Sequence, residues 1–293
     1  ISFDIKDGEI LGFLGANGAG KSTTLKVMTG YLSPTAGNVY VDDFNIIDHP
    51  IEIQKMIGYL PELNPLYGDM VVYDILEFTA SMRGIIGDEF KIALDRVVSD
   101  CTLNAVVHKK VSECSKGFKQ RIGLACALIH DPKILILDEP VSGLDPNQII
   151  EIRQLIKRIG KEKIVIMSSH ILQEIQATVD RIIIINEGSI VADGTPDNLV
   201  SGAKGGISID VEISGATIKD FRLIEKSIDE LKIIDIARSK GSIQSTIQYS
   251  GTSDIRPNIF NFIVDNKWTL LKMNPVSENL EGIFRKLTSG NNE

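Results

Sequence analysis

The sequence predicts an α/β protein with a parallel sheet at its centre, a helical insert, and a second, smaller α+β domain. Three observations predict it. A glycine-rich octapeptide, Gly15-Ala16-Asn17-Gly18-Ala19-Gly20-Lys21-Ser22, sits between an apolar run, Glu9–Leu14, and a helix-forming one, Ser22–Met28. Two continuous apolar runs, Ile134–Leu137 and Ile164–Met167, have the composition of strands buried on both faces. After a glycine-rich stretch at 201–206 the order becomes strand, helix, strand, strand, helix, strand, which is a split βαβ arrangement.

Taken in order, residues 1–14 read as two strands, the first Ile1–Ile5, joined at Lys6-Asp7-Gly8. A helix follows the glycine loop to about Gly30, and Leu32–Gly37 is a turn. Asn38–Asp43 alternates and reads as a strand with one exposed face. Ile51–Met56 is a short helix, and Ile57–Pro61 a strand that Pro61 ends. From Val71 to Val111 the apolar residues recur at helical spacing, with Val72, Ile75, Leu76, Phe90, Leu94 and Val98 among them, so the insert is a helical subdomain. Lys116–His130 is a further helix, and Pro146–Arg158 and Ile171–Thr178 are helices around the strand at 164–167. Arg181–Ile185 and Ser189–Ala192 form a hairpin at Asn186-Glu187-Gly188. Beyond the linker at 201–206 come strand 207–213, helix 219–231, strands 232–238 and 242–249 around Lys240-Gly241, helix 256–265 and strand 269–273. A final helix, 277–287, places Leu280, Ile283, Phe284 and Leu287 on one face.

Composition narrows the function. The 293 residues are 43% hydrophobic and 24% charged, which is ordinary for a globular protein. The formal net charge of -8 argues against a generic nucleic-acid binder. Three scattered cysteines, Cys101, Cys114 and Cys126, have no metal-ligand spacing and suit a reducing compartment. No apolar run approaches the ~20 residues of a membrane span, and no signal peptide is visible.

The octapeptide has the spacing of a phosphate-binding loop. Its glycines let consecutive N–H groups point at phosphate oxygens, at a helix N-terminus that favours anions. The pattern assigns Lys21 to the β- and γ-phosphates and the Ser22 hydroxyl to Mg²⁺. Ile134–Leu137 ends in Asp138-Glu139, two carboxylates at the C-terminal end of a buried strand, where ligands bind in an open α/β sheet. Asp138 is placed to hold Mg²⁺, and Glu139 to act as general base on a water attacking the γ-phosphate.

Further segments carry a resemblance. Ser115-Lys116-Gly117-Phe118-Lys119-Gln120-Arg121 resembles the signature segment of the ATP-binding cassette (ABC) family, Pro140–Pro146 its D-loop, Ser168-Ser169-His170 its switch histidine, and Gly58–Glu62 its Q-loop region. Together with the phosphate loop and the acidic strand, these occur in the family's order over residues 1–200. The resemblance implies a P-loop NTPase ABC ATPase core with antiparallel β and helical subdomains. The domain is expected at 1–200 with its helical subdomain at about 71–115, the linker at 201–206, and an α+β accessory domain with terminal helix at 207–293. That last domain is either a regulatory or dimer-supporting addition or a stabilising appendage.

The resemblance also implies the roles. Two cassettes, a homodimer or a pair, would sandwich ATP head to tail. Gly15, Ala16, Asn17, Gly18, Ala19, Gly20, Lys21, Ser22 and Thr23 would bind ATP from one subunit, and Ser115 and Gly117 from the other. Asp145 would contact the partner, and His170 would bond the γ-phosphate and orient Glu139. The family's signature has glycine and glutamine where this chain has Lys116 and Phe118, and its Q-loop glutamine is here Glu62, which would ligate Mg²⁺ and contact the transporter. These departures, and the terminal helix, resemble the ABC-2 exporter type, including gliding-motility-associated ATP-binding proteins. The implied function is the ATPase of an exporter whose membrane-spanning permease subunits are separate chains, peripheral on the cytoplasmic face of the cell membrane, with no nucleic acid bound. The alternatives are a soluble ABC ATPase acting on ribosomes or DNA, and a nucleotide-dependent module that barely hydrolyses. The family's adenine-stacking aromatic lies ahead of the segment matching Ile1–Ile5, so these residues are expected to hold ATP mainly by its phosphates.

Overall fold

β1 (Ile10–Leu14) is buried along its whole length and runs straight into the glycine loop and α1 (Lys21–Met28). In the computed structural model, β2 (Tyr40–Val41) and β3 (Phe44–Asn45) form a short hairpin, followed by α2 (Pro50–Met56) and β4 (Ile57–Leu60). Residues 1–202, 207–228, 231–239, 241–249, 254–276 and 280–288 are described. The helical insert consists of α3 (Val72–Met82), α4 (Gly87–Asp100), one 3₁₀ turn at Val111–Glu113 and α5 (Lys116–Leu128). Then β5 (Ile134–Leu137), α6 (Pro146–Ile159), β6 (Ile164–Ser169), α7 (Leu172–Gln176), β7 (Arg181–Asn186) and β8 (Ser189–Gly194) complete the first unit, which ends at Pro196.

Local chemistry starts these helices. Ser115 caps α5 by accepting from Phe118 N at 3.3 Å. Asp145 caps α6 by accepting from Gln148 N at 3.0 Å, with Pro146 at the first helical position and Lys157 and Arg158 in the last turn.

The central sheet has the order β4-β5-β6-β1-β7-β8, parallel except for β8. One face buries Leu11, Phe13, Ile136, Ile166, Ile183 and Ile185 against Leu25 of α1 and Ile53 of α2. Each such side chain contributes about 1.5–3 kcal/mol by leaving water. Gly12 on β1 admits Ile175 of α7, since a Cβ there would lie 2.6 Å from Ile175 Cγ2. Register aligns Leu14 with Ser169 and Leu137 with Met167, so β5, β6 and β1 end side by side. That common C-terminal edge is where the site is built.

Two expectations for the first unit need correction. Ile1–Ile5 is not a strand, because a strand requires a ladder and no neighbouring backbone pairs with it among the described residues. Phe3 instead packs edge-on against Phe13, with ring centroids 5.1 Å apart. The segment borders a cavity of about 970 Å³, closed also by α1 and the turn at 34–39. The strand read over Asn38–Asp43 is the first arm of the β2–β3 hairpin, which turns at Asp42 with φ +50°. Asp tolerates that left-handed conformation better than most residues.

The second unit begins at Asp197. α8 (Pro196–Gly202) continues through Ser201 and Gly202 of the expected linker, and 203–206 lie outside the described residues. β9 (Ile207–Ser214), α9 (Ile218–Phe221), α10 (Ile224–Ser227), β10 (Leu231–Ser239), β11 (Ser242–Tyr249), α11 (Arg256–Asp265) and β12 (Thr269–Val276) give the βαββαβ order. The single helix read at 219–231 is two short ones, the first started by a capping box between Thr217 and Asp220. The antiparallel sheet has the order β10-β11-β9-β12 and buries Ile209, Val211, Ile213 and Ile247 against Phe221, Ile224, Ile259 and Ile263. α12 (Leu280–Thr288) follows, and the expected start at Ser277 and the side chains of Leu280 and Ile283 lie outside what is described. Among the described residues no helix is long and apolar enough to cross a membrane.

Candidate functional site

The glycine loop hangs between β1 and α1, tied to the β7–β8 turn by Gly188 N, which donates to Ala19 O at 2.9 Å. Gly15 is required by close approach, because a Cβ there would lie 2.5 Å from Ile185 O. Gly20 takes φ +108° at the head of α1. No side chain caps α1 and its first turn holds no acidic residue, so its leading N–H groups and positive dipole end are presented to the loop. Ala16, Asn17, Gly18 and Thr23 are exposed, whereas Ala19 is buried. Lys21 is buried and folds back on the loop, donating to Gly15 O at 2.8 Å and Ala16 O at 3.3 Å.

The ends of β5 and β6 bring three more predicted residues, Asp138, Glu139 and His170, to Lys21 and Ser22. Ser22 Oγ donates to Asp138 Oδ1 at 3.1 Å. Asp138 N donates to Leu60 O at 2.9 Å, which ties the strand end to β4. Glu139 has Oε1 3.8 Å from Lys21 Nζ and Oε2 3.0 Å from His170 Nδ1. Asp138 and Glu139 are buried, while the His170 side chain is 41% exposed and so open to a ligand. Glu139 has φ +50°, a left-handed conformation that costs a non-glycine residue roughly 1–2 kcal/mol.

Ser115, Gly117 and Asp145 belong to a second cluster. Gly117 packs on Gln148, the residue whose N–H Asp145 accepts, and a Cβ at 117 would lie 2.6 Å from Gln148 Cδ. Lys116 Nζ lies against Gly143 of the Pro140–Pro146 loop. The segment at 115–118 and the loop at 140–146 are therefore packed together within one chain, and Ser115 is exposed. Glu62 is an exposed turn residue and makes no hydrogen bond among the described residues. Its turn is held through Asn64 Nδ2, which donates to Lys119 O at 2.7 Å.

Two participants escape a reading of the residues one by one. Ser168 Oγ donates to Asp138 Oδ1 at 2.6 Å and accepts from Glu139 N at 3.0 Å. A hydroxyl two residues before the histidine, at a strand end facing the carboxylates, is the signal that points to it. Tyr59 Oη is buried without a hydrogen-bond partner among the described residues. Burial first, then the negative charge of Asp138, pushes its pKa up to about 12.

The arrangement suits a nucleoside polyphosphate with a hard divalent cation. The loop offers N–H groups and an ammonium group, and Ser22 and Asp138 offer two adjacent oxygens. Among the described residues no group of three or more His, Cys, Asp or Glu could enclose a metal ion. A small, strongly hydrated cation that keeps several waters and phosphate oxygens needs no such enclosure.

Known proteins resemble this chain over much of its length. The family model for "ABC transporter" matches residues 1–142. The bacitracin transport ATP-binding protein BcrA of Bacillus licheniformis is 34% identical over 292 residues, 99% of this chain and 92% of that one. The ABC transporter A family member 1 of Dictyostelium discoideum is 33% identical over 211 residues, 72% of this chain, and the match spans only 24% of that much longer protein. Among solved structures, cbiO1 from Clostridium perfringens, part of the ABC transporter complex cbiONQ, matches with a TM-score of 0.63 and 29% identity over 69% of this chain and 82% of its own. The ATP-binding cassette MJ0796, described as a dimer in a post-hydrolysis state with ADP and Pi, matches with a TM-score of 0.60 and 25% identity over 66% of this chain and 88% of its own.

Proposed function

This chain belongs to the ABC transporter family as one of its ATP-hydrolysing ATP-binding chains, and we propose that it drives export through separate membrane-spanning subunits. The observation that carries the reading is the cluster of Lys21, Ser22, Asp138, Glu139 and His170, in which Ser22 bonds Asp138, His170 bonds Glu139 and Lys21 pairs with Glu139 at 3.8 Å, assembled from the start of α1 and the ends of β5 and β6. Gly15–Thr23 holds the phosphates, Lys21 leaves its own loop carbonyls for the β- and γ-phosphates, and Ser22 and Asp138 would hold Mg²⁺, which would neutralise phosphate charge. Glu139 takes the proton of the attacking water, and His170 keeps the carboxylate aimed at it. Ser115 and Gly117, exposed and buried respectively at the head of α5, meet the γ-phosphate of a second cassette, with Asp145 at that interface. The two cassettes are this chain twice or a pair of related chains, and they sit on the cytoplasmic face of the membrane.

Similarity over 99% of this chain to a bacitracin transport ATP-binding protein supports a transporter role, and Glu62, in an exposed turn beside the helical insert, is placed to touch a permease subunit. Expression with candidate membrane subunits tests the reading. Steady-state phosphate release and co-purification of the chain with a membrane protein are expected. Phosphate release with no membrane association, and co-sedimentation with ribosomes or DNA instead, would overturn the exporter assignment.

A further inference from the structure

We propose that Ser168 is a positioning residue for the hydrolytic site, holding the two carboxylate residues that follow β5, Asp138 and Glu139, to the end of β6; this rests on the ATPase reading above. Ser168 is fully buried, at 0% exposure, and its hydroxyl is used twice. It donates to Asp138 Oδ1 at 2.6 Å, in the short range of charge-assisted bonds, and accepts from Glu139 N at 3.0 Å. Ser22 Oγ donates to the same Oδ1 at 3.1 Å. With two donors on Oδ1, the carboxylate plane of Asp138 is fixed. Oδ2 accepts no hydrogen bond among the described residues and is the oxygen left for a cation.

The second bond acts on backbone. Glu139 sits at φ +50°, and that conformation persists only where its surroundings over-determine it. Ser168 Oγ takes the Glu139 N–H, and Glu139 O accepts from Ser142 N at 3.1 Å. Remove the hydroxyl and a buried N–H is left unpaired, with nothing on that side to oppose relaxation. The next residue provides a contrast. Ser169 Oγ donates to Glu174 Oε2 at 2.8 Å and accepts from Ile171 N at 3.0 Å, because neighbouring side chains on a strand face opposite ways. Ser169 therefore shapes the turn that carries His170, while Ser168 faces the carboxylates.

Two variants test this. Ser168→Ala removes the hydroxyl, and Ser168→Cys removes most of its hydrogen-bonding strength at nearly constant volume. Both are compared with wild type for thermal melting, for binding of ATP carrying a fluorescent ribose label with and without Mg²⁺, and for phosphate release. Outer partners of a metal-ligating carboxylate are worth roughly 10–100-fold in metal affinity. The Mg²⁺ concentration for half-maximal binding should rise by that factor in both variants. kcat should fall, while Mg²⁺-free nucleotide binding and cooperative melting stay as in wild type. An unchanged Mg²⁺ requirement in either folded variant overturns the proposal, and so does an equal loss of Mg²⁺-free binding, which would mark general collapse of the loop. A wild-type protein that neither binds nor hydrolyses ATP would remove the ATPase reading itself, and this proposal with it.

Discussion

His170 Nδ1 lies 3.0 Å from Glu139 Oε2, while Lys21 Nζ stands 3.8 Å from the other oxygen of the same carboxylate. One residue at the end of β5 is thus held from β6 on one side and from the phosphate loop on the other. A carboxylate accepts, so His170 donates from Nδ1. Glu139→Gln keeps the size of the side chain and removes its basicity. Turnover should fall ~10²–10⁴-fold, the usual size of a general-base loss, with ATP affinity retained. Phosphate release and ATP titration measure the two quantities, and gel filtration with ATP should show a trapped dimer. A variant that hydrolyses at the wild-type rate would end the assignment.

Lys21 and Ser115 stand in separate clusters of the chain, one bonded to the glycine loop and the other capping α5. If their roles meet across a head-to-tail dimer, Lys21→Ala and Ser115→Arg should each be nearly inactive alone. Mixed together, they regenerate one intact site per heterodimer, and phosphate release should partly return. Heterodimers shown to form without any recovery of activity would exclude that arrangement.

Much of this was legible because its causes are local. The glycine spacing at 15–20, the apolar run that ends at Asp138, and the Asp145–Pro146 helix start each act within a few residues, and the structure has each where it was read. Ile1–Ile5 alternates like a strand, but a ladder needs a partner that alternation does not supply. Ser168 was visible as a serine beside a histidine, yet its role depends on Asp138, 30 residues away on a neighbouring strand. The same holds for Gly117 and Gln148, which only the packing of α5 against α6 brings together.

Gly15 makes a separate, steric prediction. Its missing Cβ would fall 2.5 Å from Ile185 O and 3.1 Å from Ala19 Cβ, and a backbone carbonyl cannot move aside as a side chain end can. Gly15→Ala should destabilise the first unit by about 1–3 kcal/mol, the range for overpacking. The melting temperature should drop by roughly 2–12 °C at a domain size near 200 residues. ATP affinity should fall too, since the displaced β7 end also carries the turn bonded to Ala19 O. A variant with wild-type melting would show that the loop and β7 separate freely.

His130 sets a pH dependence away from the nucleotide site. Its Nε2 lies 3.1 Å from Ile57 O, and its Nδ1 is buried without a partner among the described residues. Burial, and then the Arg83 guanidinium, push its pKa down to about 4, against the hydrogen bond to Ile57 O. In the unfolded chain the ring titrates near 6.5. Between those values the unfolded state binds more protons than the folded one, so stability rises with pH. The contribution is fully present above about pH 6.5 and is lost as pH falls toward 4. For a ring that is only partly buried it amounts to about 1–2 kcal/mol. His130→Gln keeps a donor for Ile57 O and cannot titrate. The melting temperature of the wild type should therefore fall more steeply than that of the variant between pH 6.5 and 4.5, with the curves parallel above pH 7. The remaining histidines, His49, His108 and His170, are common to both proteins and cancel in the difference. Parallel curves through the acidic range would show that His130 is already protonated in the folded chain, with Asp131 balancing its charge against Arg83 and Arg96.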